Sequence, residues 1–150
     1  MNLHEFLQSN AAGIVEEACQ ALTRSQVKHY QQAGPEHLHA RIKALYTLTV
    51  RGVKERNLGP MVAHADAIAI ERYTAGFDLW EVQTAFNVLE EVLWQRLLKS
   101  LPADQYAEAL GLVSTVLGAG KDALARKYVT LASKSKAPSL DLHQLFTGGE

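Results

Sequence analysis

The sequence predicts an all-α protein, an antiparallel bundle of four main helices with one or two short additional helices. Apolar residues recur at helical spacing along most of the 150 residues. Prolines and glycines divide this pattern into segments of helical length. No stretch alternates apolar and polar residues over the length of a strand. A globin-like arrangement of the helices is compatible with the same pattern.

The first half of the chain contains an amphipathic lead-in and two helices. The first helix covers about residues 11–25, with Ile14 and Leu22 on one side. A polar break at residues 31–34 follows it. Pro35 suits the first turn of the second helix, because its missing N–H needs no partner there. Helical spacing then continues to about residue 56.

An alanine-rich helix over about residues 61–75 comes next, after a stop and restart at residues 57–60. One stripe of this helix consists of Met61, Ala65, Ile68 and Arg72. The spacing predicts that Arg72 faces inward. Because a buried guanidinium loses its hydration, we expect it to have a carboxylate partner.

Four local signals predict a sharp corner after this helix. Gly76 can adopt the left-handed conformation that ends a helix. Asp78 suits the N-cap of the next helix, and Glu81, three residues on, completes a capping box. Phe77 and Val82 have the spacing of a hydrophobic staple around that cap.

The helix after the corner covers about residues 79–98 and has two apolar faces. Its core face consists of Val82, Phe86, Leu89, Leu93 and Leu97. Trp80, Trp94 and Leu98 fall on the opposite face, among polar residues. An apolar patch with a polar border predicts an interaction surface, in a homodimer or with a partner protein. Coverage by additional helices of the bundle is the alternative interpretation.

The last helix begins after Pro102 and carries a line of small residues beside its apolar stripe. The line consists of Ala107, Gly111, Ser114 and Gly118. Because glycine costs about 1 kcal/mol relative to alanine inside a helix, the line indicates either close approach of another helix or local bending. The composition after residue 133 is typical of a linker. We therefore divide the chain into a helical domain, residues 1–133, and a linker with a short terminal segment, residues 134–150.

A family resemblance rests on the residues around the corner. They are Glu71, Arg72, Gly76, Phe77, Leu79, Glu81 and Val82, followed by Ala85, Leu89 and Leu93. This run resembles the helical N-terminal domain of RsbRD-type proteins, the RsbT co-antagonists of a bacterial stress-signalling complex; similar domains precede some histidine kinases. The resemblance implies a non-catalytic sensory or interaction module. It also implies that the module passes a signal to an output domain or to a signalling partner.

Composition excludes several other classes of function. With 15 Lys and Arg against 16 Asp and Glu, the net charge of −1 provides no field that would attract nucleic acid or an anionic membrane. The single cysteine, Cys19, suits a reducing compartment. The longest uncharged stretch of the last helix has 12 residues (109–120), well short of the roughly 20 that span a membrane. We expect a cytoplasmic protein.

No catalytic, metal or cofactor site is predicted. The six histidines show no spacing that holds a metal from one helix, and no nucleophile has a local activator. We therefore expect no enzymatic activity, no metal and no cofactor. The alternative hypothesis is a small-molecule or haem carrier with a pocket inside the bundle, in which His64 would be an axial haem ligand.

Overall fold

The computed structural model describes residues 1–136, and all of the secondary structure in this range is helical. Seven α-helices follow one another: α1 (Leu3–Ser9), α2 (Ala11–Arg24), α3 (Lys28–Ala33), α4 (Pro35–Glu55), α5 (Gly59–Thr74), α6 (Leu79–Ser100) and α7 (Tyr106–Lys136). A single 3₁₀ turn, Ala103–Gln105, precedes α7. The all-α fold class is confirmed.

The number of long helices differs from the prediction. Five of the helices have 14 or more residues, one more than the four main helices expected. The short helix α3 occupies most of the predicted polar break. Tyr30 on α3 is 3% exposed. Burial of its ring stabilises a short helix in this segment, although the glutamines of the segment face solvent.

The core lies between α7 and the four other long helices. α7 packs against α4, α5 and α6, while α2 packs against α4 and α6. The core face of α6 is the predicted one: Val82, Phe86, Leu89, Leu93 and Leu97 are all buried. The predicted stripe of α5 is buried too: Met61, Ala65, Ile68 and Arg72 each expose 8% or less of their surface.

Two close approaches between helices occur at glycines outside the predicted line of small residues. A Cβ added at Gly120 would lie 2.8 Å from Phe86 Cε2, and one at Gly52 would lie 2.7 Å from Val116 Cγ1. Gly111 and Gly118, in contrast, have no described atom within 4 Å of an added Cβ. No described helix of this chain therefore packs closely on the predicted line. The tight contacts form at Gly120 and Gly52 because those two glycines lie on buried faces.

An ion pair joins α2 to α6. Arg96 Nε donates to Glu17 Oε2 at 2.6 Å, and the guanidinium covers Gly13, where an added Cβ would lie 2.6 Å from Arg96 Nη1. Each of the two paired side chains is roughly one-third exposed. Exposed pairs contribute little to stability, so α2 is held mainly by its buried side chains Ile14, Val15, Ala18 and Leu22.

The final helix continues to Lys136, and residues 137–150 lie outside the described range. The division at residue 133 and the short terminal segment therefore stay predictions. Among the described helices, none combines the length and apolar character needed to cross a membrane.

Replacing Gly120 with alanine should destabilise the protein, whereas replacing Gly111 with alanine should not. Overpacking at Gly120 costs about 1–3 kcal/mol, more than the roughly 1 kcal/mol that alanine gains over glycine in a helix. Within one molecule no described atom lies within 4 Å of an added Cβ at Gly111, so in the monomer only the gain applies. Urea unfolding of both variants measures the difference. Equal free energies of unfolding would show that α5, α6 and α7 are not packed as closely at Gly120 as the structure indicates.

Candidate functional site

The corner between α5 and α6 has the geometry that the sequence predicts. Gly76 has a φ of +90°, in the left-handed region that favours glycine. The Gly76 N–H donates to the Tyr73 carbonyl at 3.1 Å, and the Phe77 N–H donates to the Arg72 carbonyl at 2.9 Å. These two bonds form a Schellman motif, which satisfies carbonyls at the end of α5.

The capping box at the start of α6 is also present. Glu81 Oε2 accepts a hydrogen bond from the Asp78 backbone N–H at 2.7 Å. Asp78 is exposed, as a surface cap normally is. Glu81, however, is 2% exposed, so this corner buries a carboxylate that a typical capping box leaves in solvent.

The second oxygen of Glu81 pairs with a residue from a distant part of the chain. Glu81 Oε1 lies 2.8 Å from His29 Nδ1 and 3.5 Å from the His29 backbone nitrogen. Burial alone would raise the pKa of Glu81. The hydrogen bonds from His29 and from the Asp78 N–H outweigh burial and lower the pKa below its ordinary value of 4.5. Glu81 therefore joins the first turn of α3 to the first turn of α6 as a carboxylate.

Phe77 packs at the centre of a group of rings. Its ring centroid lies 4.9 Å from that of His29 and 5.1 Å from that of Tyr30, the latter in an edge-to-face arrangement. The Phe77 carbonyl accepts a hydrogen bond from Tyr128 Oη of α7 at 2.9 Å. One residue of the corner thus contacts α3 through its side chain and α7 through its backbone.

Two arginines lie against the same rings. Arg41 Cζ is 5.7 Å from the Tyr30 centroid and 5.5 Å from the Phe77 centroid, and Arg72 Cζ is 5.9 Å from both. These are cation–π distances. The side chains come from α4 and α5, so the rings hold the ends of two helices together. We call this group of Tyr30, Arg41, Arg72 and Phe77 the arginine–aromatic cluster.

Arg72 is buried as predicted, with 5% of its surface exposed, but its partner differs from the expected one. The Glu71 carboxylate is 3.8 Å from Arg72 Nε, beyond hydrogen-bond distance, and the Glu71 side chain is 63% exposed. A solvated carboxylate at this distance offsets little of the desolvation. The rings of Tyr30 and Phe77 provide the close contacts of the guanidinium instead.

The cavity beside His64 is too small for the haem hypothesis. His64 is half-buried, and burial, followed by the charge of Arg72, lowers its pKa. The cavity that it lines has a volume of about 20 Å³, room for about one water molecule. A haem would not fit there without rearrangement of the core.

Trp80 and Trp94 are exposed to solvent on α6, at 58% and 40% of their surfaces. Leu98 is half-buried on the same side of the helix. No described helix covers the two tryptophans, so the structure leaves this face open. We call the surface formed by Trp80, Trp94 and Leu98 the tryptophan face.

His29, Tyr30 and Arg41 are site residues that the sequence interpretation missed. They come from α3 and α4, about 40 to 50 positions before Glu81, and no short-range spacing connects them with it. Tyr30 alone carries a local signal, because it follows the apolar Val27 at helical spacing. Their meeting with Phe77 depends on the tertiary packing.

The described residues offer no metal centre and little support for a nucleophile. No group of three or more His, Cys, Asp or Glu side chains within residues 1–136 could hold a metal ion. Burial, and then the charge of Glu16, raises the pKa of the Cys19 thiol. The thiolate form is therefore disfavoured at neutral pH.

Comparison with known proteins identifies one family. The family described as "RsbT co-antagonist protein rsbRD N-terminal domain" matches residues 12–132. This range begins in α2, ends in α7 and contains the whole corner and the tryptophan face. Neither a curated protein nor a solved structure matches the chain significantly.

Replacing Glu81 with glutamine should destabilise the protein at neutral pH by about 1–3 kcal/mol, the range for a buried hydrogen-bonded group. Because the folded pKa of Glu81 lies below 4.5, the carboxylate contributes its stability above that pH. The contribution is lost as the pH falls through the lowered folded pKa. The difference between wild type and Glu81→Gln should therefore shrink below about pH 4.5, as measured by urea unfolding at a series of pH values.

Glu55→Gln is the matched control, since Glu55 forms an exposed pair with Arg51 within α4. It should change the free energy of unfolding by less than about 0.5 kcal/mol at every pH. A Glu81→Gln effect as small as that of the control would contradict the role assigned to Glu81. So would an effect that does not depend on pH.

Proposed function

The chain belongs to the family of the RsbT co-antagonist protein rsbRD N-terminal domain, and from this membership we propose that it acts as a protein-interaction module through the tryptophan face of α6. The family is one of regulatory domains in stress signalling. A regulatory domain without its own chemistry works by binding. The partner we propose is a second copy of this chain.

Exposure of the two tryptophans is the observation that carries the proposal. Trp80 and Trp94 are 58% and 40% exposed in a helix whose other face is fully packed. Tryptophan is the residue type most enriched at binding hot spots, because it buries a large rigid surface at a small entropic cost. Two of them on one open face favour an interface over a solvated surface.

The spacing of the tryptophans suits a twofold axis. Asn87 lies midway between them, and it is exposed. If two α6 helices cross antiparallel at Asn87, Trp80 of each copy meets Trp94 of the other. Such self-complementarity is what an isologous dimer requires. The same register places Glu91 opposite Gln83 and so avoids a like-charge contact.

The line of small residues on α7 supports the same surface. Ala107, Gly111 and Ser114 are exposed, and Ser114 Oγ lies 3.4 Å from Glu90 Oε2 of α6. Ser114 therefore lies next to α6 on the outside of the bundle, whereas Ala107 and Gly111 line a groove with Gly52 and Arg56 of the α4 end. Small side chains allow a helix of another molecule to approach closely. Such an approach would explain the glycines of this line, against which no described helix of this chain packs.

Replacing both Trp80 and Trp94 with alanine should weaken the dimer at least tenfold. Truncation of one hot-spot tryptophan often costs 2 kcal/mol or more, and about 1.4 kcal/mol corresponds to a factor of ten in Kd. Sedimentation equilibrium across a concentration series measures the dimer Kd. Circular dichroism of both proteins shows whether the fold is intact.

The control replaces Ile70 and Val129, two exposed apolar side chains on α5 and α7, at 47% and 64% exposure. The Ile70→Ala, Val129→Ala variant should dimerise like the wild type. A wild type that stays monomeric at high concentration would contradict the homodimer. If the control variant lost dimerisation as fully as the tryptophan variant, the assignment of the dimer interface to the tryptophan face would be wrong.

A further inference from the structure

The small cavity beside the arginine–aromatic cluster has an unusual lining. Its polar wall consists of Tyr30, Arg41, His64 and Arg72, and its apolar wall of Leu22, Ile42, Leu45, Ile68, Ala85 and Phe86. Its volume is about 20 Å³, and a cavity of roughly 10–15 Å³ already holds a water molecule. The cavity therefore has room for one occupant about the size of a water molecule.

Both arginines that line the cavity have a buried nitrogen without a hydrogen-bond partner among residues 1–136: Nε of Arg72 and Nη1 of Arg41. Arg72 as a whole is 5% exposed. Buried polar groups in folded proteins are almost always paired, either within the protein or with a bound solvent species. Two charged donors at one cavity indicate an occupant that accepts hydrogen bonds.

The charge around the cavity is positive. Burial, and then the charge of Arg72, lowers the pKa of Arg41, so the Arg41 cation is destabilised by its surroundings. Glu71 is 63% exposed, and its oxygen stays 3.8–3.9 Å from both guanidinium groups. The buried carboxylate of Glu81 already accepts hydrogen bonds from His29 and the Asp78 N–H. A negatively charged occupant therefore fits the cavity better than a neutral water molecule.

We propose that this cavity binds a small monovalent anion of the size of chloride, held between Arg41 Nη1 and Arg72 Nε. Phosphate, sulfate and carboxylate ligands are larger than the cavity. The anion accepts charge-assisted hydrogen bonds from side chains of α4 and α5, so it links two guanidinium groups that repel each other. The proposal does not depend on whether the tryptophan face forms an interface.

Thermal unfolding in sodium chloride and in sodium gluconate, at equal ionic strength, tests the proposal. Gluconate is too large for the cavity and serves as the reference anion. A ligand that binds only the folded state raises the Tm, by roughly 3–6 °C at about tenfold excess over its Kd for a protein of this size. The wild type should show this rise in chloride, and the rise should saturate.

Arg41→Met should abolish the rise in chloride, because one donor and one charge are removed. The Arg41 side chain is 25% exposed, so its loss is less disruptive than the loss of Arg72. The control is Arg126→Met on α7, whose side chain is 80% exposed, and it should keep the full rise. Equal Tm values of the wild type in the two salts would overturn the proposal, as would an undiminished rise in Arg41→Met.

Crystals of the wild type soaked in bromide give a readout that does not depend on any variant. An anomalous peak within hydrogen-bond distance of Arg41 Nη1 and Arg72 Nε is the expected result. A cavity that shows an ordinary water molecule and no anomalous signal would overturn the proposal.

Discussion

The arrangement of this bundle depends on two charged side chains that are buried on either side of Phe77. Arg72 ends α5 and Glu81 begins α6, and each exposes 5% or less of its surface. A buried charge destabilises a fold unless hydrogen bonds or opposite charge compensate it. Most of the compensation comes from α3: His29 pairs with Glu81, and the ring of Tyr30 lies against Arg72 together with the ring of Phe77 from the corner itself. The buried charges of the corner are therefore compensated only when α3 is packed against it.

Much of this arrangement could be predicted from the sequence because it is local. Gly76, Phe77, Asp78 and Glu81 act within six consecutive residues, and cap geometry follows from short-range chemistry. The inward position of Arg72 follows equally from helical spacing. The burial of Glu81 and its pairing with His29 could not be predicted. They depend on the spatial position of His29, which is 52 residues from Glu81 in the sequence. Short-range spacing patterns contain no information about such a contact.

Glycines and aromatic residues show the same limit. A glycine inside a helix indicates a close contact or a bend at that position. The sequence does not show whether another helix packs against it. Gly120 is covered by Phe86, whereas Gly111 is open. Tyr30 holds a short helix in a segment whose composition indicated a break. In each case the deciding contact is made by a residue of a different helix, which only the tertiary structure identifies.

The two sides of α6 have different roles in this account. Its inner side begins with Glu81, part of the packed corner, while the adjacent Trp80 belongs to the open tryptophan face. The tryptophan face is therefore presented by a helix whose first turn is fixed by buried contacts. A rigid helix loses little entropy on binding, which favours association. In the proposed function, the buried contacts of the corner hold α6 in position for binding.

Native-state hydrogen exchange of the Phe77 and Asp78 amides tests most directly whether the packed corner supports the fold. The Phe77 N–H donates to the Arg72 carbonyl, and the Asp78 N–H donates to the buried Glu81 carboxylate. If the corner opens only when the whole bundle opens, both amides should exchange with a free energy close to that of global unfolding. Exchange as fast as that of the amides in the exposed α4–α5 connection would contradict the account, because the corner would then open without the rest of the bundle.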